Sequence, residues 1–108
     1  MNKTIDVIIA RRSYFEVGGK NESPVLQAEL GAPVLSRSEP EEYMCSFRIT
    51  SSESEHIETA YGIDELQALQ LALRGLKVSL QLFSDSSRNG IRWAGSKIAD
   101  IGIGLPDL

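Results

Sequence analysis

The sequence predicts an α+β fold: an antiparallel sheet of about four strands in the order β-β-β-β-α, one long helix packed on one face, and an extended C-terminal tail. Apolar side chains alternate with a period of two in several segments before residue 62, which is typical of strands. They then recur every three or four residues at 64–83, which is typical of a helix. Because 108 residues is the size of a single domain, residues 1–108 are expected to form one core.

Strand one is predicted at residues 4–12. The β-branched residues Ile5, Val7 and Ile9 alternate there, and their side chains favour a strand. Their shared side is therefore the expected apolar face of this strand.

Strand two is predicted to be bent. Leu26 and Leu30 lie on one side of it, with Ala28 between them. Residues 31–33, with the sequence Gly-Ala-Pro, then interrupt the pattern before it resumes at Val34, because proline cannot donate a ladder hydrogen bond. We expect a bulged or bent strand at an edge of the sheet.

Strands three and four are predicted to form an antiparallel hairpin. Strand three has an apolar face made by alternate residues, Tyr43, Cys45, Phe47 and Ile49. The polar connection at residues 51–55 is too short for a helical crossover, so strand four, which ends near Tyr61, must run antiparallel to strand three.

The helix is predicted at residues 64–83. Asp64 is a favourable N-cap, and Gln67 three residues later completes the spacing of a capping box. A stripe of large apolar residues follows at helical spacing: Leu66, Leu69, Leu73, Leu76, Leu80 and Phe83. A second apolar edge consists of Leu71, Val78 and Leu82, and small residues run between the two: Ala68, Ala72, Gly75 and Ser79. The small residues are expected to let this side of the helix approach a neighbour closely.

The helix is apolar around more of its circumference than contact with one sheet requires. We expect the C-terminal tail to cover the excess, because the tail is local in sequence and carries Trp93 and several aliphatic residues: Ile98, Ile101, Ile103 and Leu105. A second copy of the chain or another protein is the alternative, since large exposed apolar patches mark interfaces. The alternating glycines Gly102 and Gly104 indicate a close backbone approach within this tail.

Composition and the length of the apolar runs disfavour several classes of function. The net charge of −4 disfavours a general nucleic-acid binder, which needs a basic surplus. No apolar run has the length of a signal sequence or a membrane span, so no membrane association is expected. The only cysteine, Cys45, permits no intramolecular disulfide, which favours a cytoplasmic location.

Few residues suggest catalysis, and no catalytic residue, metal ligand or cofactor site is predicted. His56 with Glu58 two residues away has the spacing of a base and its orienting carboxylate on one strand face, but an exposed hairpin histidine explains it as well. Cys45 alternates with core residues and is expected to be buried rather than nucleophilic. The acidic run at residues 39–42 is expected to be solvated surface rather than a metal site.

Arginine and tryptophan are enriched in binding hot spots. On this basis Arg48, Arg74, Arg92 and Trp93 are the predicted partner-binding residues, although a lone tryptophan is also a common core residue. Arg48 faces away from the apolar side of strand three and, with Ser46 and Thr50, marks an open polar sheet face.

Two segments resemble a known group of proteins. The strand Cys45-Ser-Phe-Arg-Ile49 and the segment at residues 61–76, Tyr-Gly-Ile-Asp-Glu-Leu-Gln-Ala-Leu-Gln-Leu-Ala-Leu-Arg-Gly-Leu, are similar to those of small uncharacterised bacterial domains. The resemblance covers about a third of the chain. It implies a bacterial, cytoplasmic, stand-alone domain and transfers no activity.

Two functions remain open. The first is a non-enzymatic protein-binding module similar in style to immunity proteins, whose partner is another protein or a second copy of the chain; the acidic charge and the surplus apolar surface favour it. The second is a small-molecule-binding or catalytic domain that uses a pocket between helix and sheet, with His56 or Arg48 as its polar anchor.

Overall fold

A single antiparallel sheet carries one helix on one of its faces. The computed structural model describes residues 5–19, 23–37 and 39–104. The elements in chain order are β1 (Ile8–Glu16), β2 (Leu26–Gly31), β3 (Val34–Ser36), β4 (Glu42–Ser51), β5 (Glu55–Gly62), α1 (Glu65–Ser86) and β6 (Ile91–Trp93). The α+β class and the antiparallel sheet are confirmed, but the sheet has six strands rather than about four.

The two additional strands have different origins. β3 is the continuation of the second predicted strand beyond its bend, and it pairs with β4 like β2 does. β6 is the short Ile-Arg-Trp segment after the helix, which pairs antiparallel with β1. The sheet order is therefore β5, β4, β2 with β3, β1 and β6.

The bend between β2 and β3 is a one-residue bulge. Leu30 lies opposite Phe47 and Val34 lies opposite Met44, so four steps along the bent strand match three steps along β4. Glycine is needed at position 31, because a Cβ atom there would lie 2.7 Å from Ile5 Cγ2. The predicted bulge is confirmed, but the predicted edge location is wrong for β2, which lies between β1 and β4.

β1 occupies residues 8–16 rather than the predicted 4–12, and Thr4 lies outside the described residues. Val7 and Ile9 are 57% and 51% exposed, so the predicted apolar side is not the core side. The residue of β1 that is fully buried is Tyr14, on the side shared with Ala10 and Arg12. The alternation of β-branched residues therefore predicted the wrong buried face and the wrong first residue for this strand.

The β4–β5 hairpin is confirmed, and it supplies the centre of the core. Cys45, Phe47 and Ile49 are each 1% exposed on the face that α1 covers. The hairpin turn is closed by Ser51, whose N–H donates to the carbonyl of Ser54 at 2.8 Å. Period-two alternation identified the covered face of β4, whereas in β5 the residues opposite Phe47 and Cys45 are Glu58 and Ala60, and Tyr61 lies on the open face.

The helix is confirmed, with its end three residues beyond the predicted one. Asp64 is the N-cap, and its Oδ1 accepts the N–H of Gln67 at 2.7 Å. The side-chain oxygen of Gln67 accepts the N–H of Ile63 at 2.7 Å, one residue before the position of a standard capping box. Within the described ranges, no helix is long and apolar enough to cross a membrane.

The small residues of α1 pack directly on the sheet. Ala68 and Ala72 have no exposed surface, and a Cβ atom on Gly75 would lie 3.1 Å from the ring of Phe47. The predicted close approach is confirmed, and the neighbour is the β4–β5 hairpin. Leu76 and Leu80 from the leucine stripe are buried beside this line.

The tail does not cover the second apolar edge of the helix. Leu71, Val78 and Leu82 stay 38%, 56% and 63% exposed, so this prediction is wrong for the described residues. The tail instead runs parallel to β6 at Asp100, which bridges to Arg92, and buries Ile101 beside β1. Leu105 lies outside the described residues.

Candidate functional site

The sheet is wider than its helix, and this difference creates an open groove. The sheet has five strand positions, because β2 and β3 share one position beside β4. Strands about 4.8 Å apart make such a sheet about 20 Å wide, whereas a helix with its side chains is about 10 Å across. Helix α1 lies on β4 and β5, and the tail lies beside β1 and β6, so a groove remains between them.

The groove has a volume of about 710 Å³ and mainly apolar walls. The helix wall consists of four leucines, Leu66, Leu69, Leu73 and Leu76. The sheet contributes Ala10, Ala28 and Leu30, and the tail contributes Gly102, Ile103 and Gly104. A concave apolar site of this volume is within the range that holds small organic ligands.

The polar side chains of the groove are concentrated on its rims. Gln70, Arg74 and Lys77 belong to the helix rim, and Arg12 belongs to the opposite rim beside the tail. Arg11 also contributes to the lining, but its guanidinium Nε lies 3.3 Å from a carboxylate oxygen of Glu29, which belongs to the opposite face of the sheet. No Asp or Glu is among the described residues that line the groove.

Arg12 is held in place by the tail. Its guanidinium carbon lies 4.7 Å from the centroid of the Trp93 ring, a cation–π contact, and its Nη1 donates to the carbonyl of Gly102 at 2.7 Å. Gly102 has a φ of +64°, and a Cβ atom there would lie 2.5 Å from Trp93 Nε1. The predicted close backbone approach at Gly102 is therefore confirmed, and only glycine fits it.

Residues 102–104 form the tail wall of the groove. Asp100 and Tyr14 hold the segment that leads into this wall. Asp100 accepts the indole N–H of Trp93 at 3.2 Å and the backbone N–H of Gly102 at 2.8 Å. The hydroxyl of Tyr14 donates to the carbonyl of Ile101. Burial raises the pKa of Tyr14 above its ordinary value near 10.0; Arg12 partly offsets this effect and Asp100 adds to it. Tyr14 therefore remains a neutral donor at physiological pH.

A second, more polar cleft of about 490 Å³ lies between β5 and the C-terminal half of α1. His56 and Glu58 line it, and His56 Nε2 lies 3.0 Å from a carboxylate oxygen of Glu58. Their shared strand face is as predicted, and both side chains are about half exposed. Nothing in this geometry separates a base role for His56 from that of an exposed hairpin histidine. In the described part of the chain, no three His, Cys, Asp or Glu side chains come together as metal ligands.

Cys45 is a core residue, as predicted. It is 1% exposed, and its thiol donates to the carbonyl of Gly31 at 3.3 Å. Burial raises the pKa of the Cys45 thiol. A buried thiol of this kind is protonated at neutral pH and is a poor nucleophile.

The four predicted partner-binding residues do not form one site. Arg48 belongs to the open sheet face, where it donates to the buried carboxylate of Glu29 at 2.8 Å. Arg92 is also on that face, stacked 5.2 Å from the ring centroid of Phe15. Arg74 belongs to the helix rim of the groove, and Trp93 supports the tail wall through Arg12. Arg48 therefore cannot anchor a ligand in a helix–sheet pocket, whereas His56 does line one.

Sequence reasoning missed Arg12 as a site residue. Arg12 was placed at the end of strand one, and no local pattern shows that β6 returns to pair with β1 and brings the tail to it. The only available signal was the unusual pair of glycines at 102 and 104, which predicted a close approach without identifying its partner.

A family model described as a domain of unknown function, DUF6968, matches residues 10–105. The chain belongs to this family. The match confirms the predicted membership of an uncharacterised domain family, and it covers β1 from residue 10 onward and every later element. No curated protein and no solved structure matches the chain significantly.

Proposed function

We propose that this DUF6968 domain is a binding domain that holds a small amphipathic molecule in the groove between α1 and the tail. The supporting observation is the groove itself, about 710 Å³ with leucine, alanine and isoleucine walls and polar groups at the rims. Leu66 remains 63% exposed at its margin, so a ligand there would remove further apolar surface from water. One hypothesis from the sequence is a ligand pocket between helix and sheet with His56 or Arg48 as its anchor. In the groove the polar anchors are instead Arg12, Arg74 and Lys77.

The test compares two leucines of the same helix. Leu73 lines the groove, whereas Leu71, two residues away, is on the second apolar edge outside it. Decanol, a neutral amphipathic probe, should bind the unmodified protein in isothermal titration calorimetry. Leu73→Gln should weaken this binding by about fivefold, because a partly buried leucine side chain contributes about 1 kcal/mol to an apolar contact. Leu71→Gln should leave it unchanged.

Folding of each variant is checked by circular dichroism and by urea denaturation before binding is measured. Decanol binding that is absent from the unmodified protein, or is weakened equally by both substitutions, would contradict the proposal. A response limited to Leu73→Gln locates the ligand in the groove.

A second candidate function is the protein-binding module that the sequence favours. It is supported by the exposed second edge of α1, which spans Leu71 to Leu82 and is therefore about 16 Å long. The occupant proposed for this edge is a second copy of the chain, because an apolar helix stripe of this length can pair with itself around a two-fold axis. An immunity-like masking role stays a prediction.

Light scattering tests this second candidate. Substitution of Leu71 is now the test and substitution of Leu73 is the control. The unmodified protein should be a dimer at micromolar concentration, Leu71→Gln combined with Val78→Gln should give a monomer, and Leu73→Gln should remain a dimer. A monomeric unmodified protein would contradict self-association.

A further inference from the structure

The residues that line the groove have a positive net charge, whereas the net charge of the whole chain is negative. The chain has eleven Lys and Arg residues against fifteen Asp and Glu residues. The described residues that line the groove nevertheless include four cationic side chains, Arg11, Arg12, Arg74 and Lys77, and no acidic one. Among the described residues, no carboxylate forms an ion pair with the other three, Arg12, Arg74 and Lys77. Such a local excess of one sign over apolar walls attracts a ligand of the other sign.

The three cationic side chains that have no ion pair among the described residues lie on both sides of the groove. Arg74 and Lys77 belong to the helix rim, one turn apart, and neither has a hydrogen bond or an ion pair within the described part of the chain. Arg12 belongs to the tail rim and is oriented by Trp93 and by the Gly102 carbonyl. A guanidinium has five N–H donors, so the single bond to Gly102 leaves Arg12 with donors for a ligand.

Two carboxylates near the groove already have partners. Asp100 accepts the Trp93 indole N–H and the Gly102 N–H. Glu29, between Ala28 and Leu30 in β2, is paired with arginines. Glu29 is buried on the opposite face of the sheet, where Arg48 donates to one of its oxygens at 2.8 Å and Arg11 lies 3.3 Å from the other. Glu29 therefore neutralises Arg11 and Arg48, but not the rim cations Arg12, Arg74 and Lys77.

We infer that the groove binds a single-chain acyl carboxylate, with its chain along the leucine wall and its carboxylate between the rim cations. The wall from Leu66 to Lys77 is about 16 Å long, which suits a medium-length chain. Carboxylates form charge-assisted hydrogen bonds with guanidinium and ammonium groups. This inference rests on the proposed function and names the chemical class of its ligand.

The experiment uses two probes that share a chain and differ in the head group, decanoate and decanol, at neutral pH and below the concentration at which decanoate aggregates. In calorimetric titrations the unmodified protein should bind decanoate about tenfold more tightly than decanol, because each partly exposed charge pair adds a small favourable contribution and the rim supplies three cations. The preference should shrink in high salt, since these charges are accessible to screening ions.

The matched variants remove the same amount of charge from different places. Arg74→Gln combined with Lys77→Gln should reduce decanoate affinity about fivefold to tenfold and leave decanol affinity unchanged. Arg37→Gln combined with Lys97→Gln is the control, because both residues are exposed and neither lines the groove. Arg12 is not the first choice, because its substitution would also disturb the tail through Trp93.

The outcomes separate the two proposals. Equal affinity for decanoate and decanol, both sensitive to Leu73→Gln, would overturn the carboxylate inference and leave the groove as a ligand site. Equal losses in the two double variants would also overturn it, because they would show an effect of net charge alone. Absence of binding by both probes would overturn the proposed function together with this inference.

Discussion

One face of the sheet is covered by α1 over β4 and β5 and by the tail over β1 and β6. Different interactions hold these two regions together. Under α1, Phe47 and Ile49 of the hairpin and Ala68 and Ala72 of the helix are all buried with almost no exposed surface. Under the tail, Tyr14, Ile91 and Ile101 are buried in the same core cluster, and polar contacts add to this packing, chiefly the bond of Tyr14 to the Ile101 carbonyl and the Arg12 contacts. The helix half thus relies on apolar packing, whereas the tail half combines a smaller set of buried apolar side chains with individual hydrogen bonds.

This difference has a consequence for stability. Close apolar packing is shared among many neighbours and is lost only when the domain unfolds, whereas a segment held by a few hydrogen bonds opens locally at a lower free energy. We therefore expect the end of the tail, beyond the buried Ile101, to open at a lower free energy than the helix wall. Substitutions in the two halves should separate global from local unfolding.

The largest effect is expected from Phe47→Ala. Phe47 is 1% exposed and fills the space beside Gly75, so its removal loses apolar burial and leaves a cavity. The free energy of unfolding should fall by about 3 to 5 kcal/mol, measured by urea denaturation. Phe47→Leu should cost less and serves if the alanine variant does not fold. A loss below about 1 kcal/mol for Phe47→Ala would contradict the assignment of the core to this half.

An intermediate and local effect is expected from Gly102→Ala. The new Cβ atom would meet Trp93 Nε1, and alanine at a φ of +64° is itself unfavourable, so the cost should be about 1 to 3 kcal/mol. Hydrogen exchange should accelerate at the tail amides of Trp93 and Asp100 but not in β4. Gly104→Ala is the control, because a Cβ atom added at Gly104 would have no atom within 4 Å and the φ of Gly104 is not positive. Equal acceleration in both variants would contradict the close approach at Gly102.

The smallest effect at neutral pH is expected from Tyr14→Phe, and it should depend on pH. Loss of the bond to the Ile101 carbonyl should cost about 1 kcal/mol. Because burial raises the pKa of Tyr14 in the folded protein, the unfolded chain loses this proton first as the pH rises past about 10. The contribution of the Tyr14 proton is thus fully present below about pH 10 and is lost as the pH rises through the folded pKa.

Urea denaturation of both proteins at about pH 7 and about pH 11 measures this difference. The advantage of the unmodified protein over Tyr14→Phe should narrow at the higher pH. A constant difference at the two pH values would show that Tyr14 has the same pKa in the folded and unfolded chains.

The parts of the fold that the sequence predicted are those in which neighbours in the chain are also neighbours in space. The β4–β5 hairpin and α1 have periodic patterns, a short connection and an N-cap, all of which are local signals. β1 was misplaced because its buried residue, Tyr14, is flanked by Ser13 and Phe15 and lacks an apolar alternation. Local alternation reports the covered face only where the core side is uniformly apolar.

The groove was beyond sequence reasoning for a different reason. It arises because the sheet gains β6 and becomes wider than the helix, and β6 pairs with β1, about eighty residues earlier in the chain. The pairing places Trp93 opposite Tyr14 and brings Gly102 to Arg12. No periodicity in either segment encodes such a long-range contact. The helix residues of the groove were visible as a leucine stripe, but the opposite wall was not.

Trp93 gives this protein a built-in optical reporter. It is the only tryptophan of the chain, its ring is stacked with Arg12, and its indole N–H is bonded to Asp100. Its fluorescence therefore arises from a single place, the tail wall of the groove. Separation of that wall from the sheet would expose the indole to water and shift its emission to longer wavelength, so movement of the tail can be followed in the unlabelled protein.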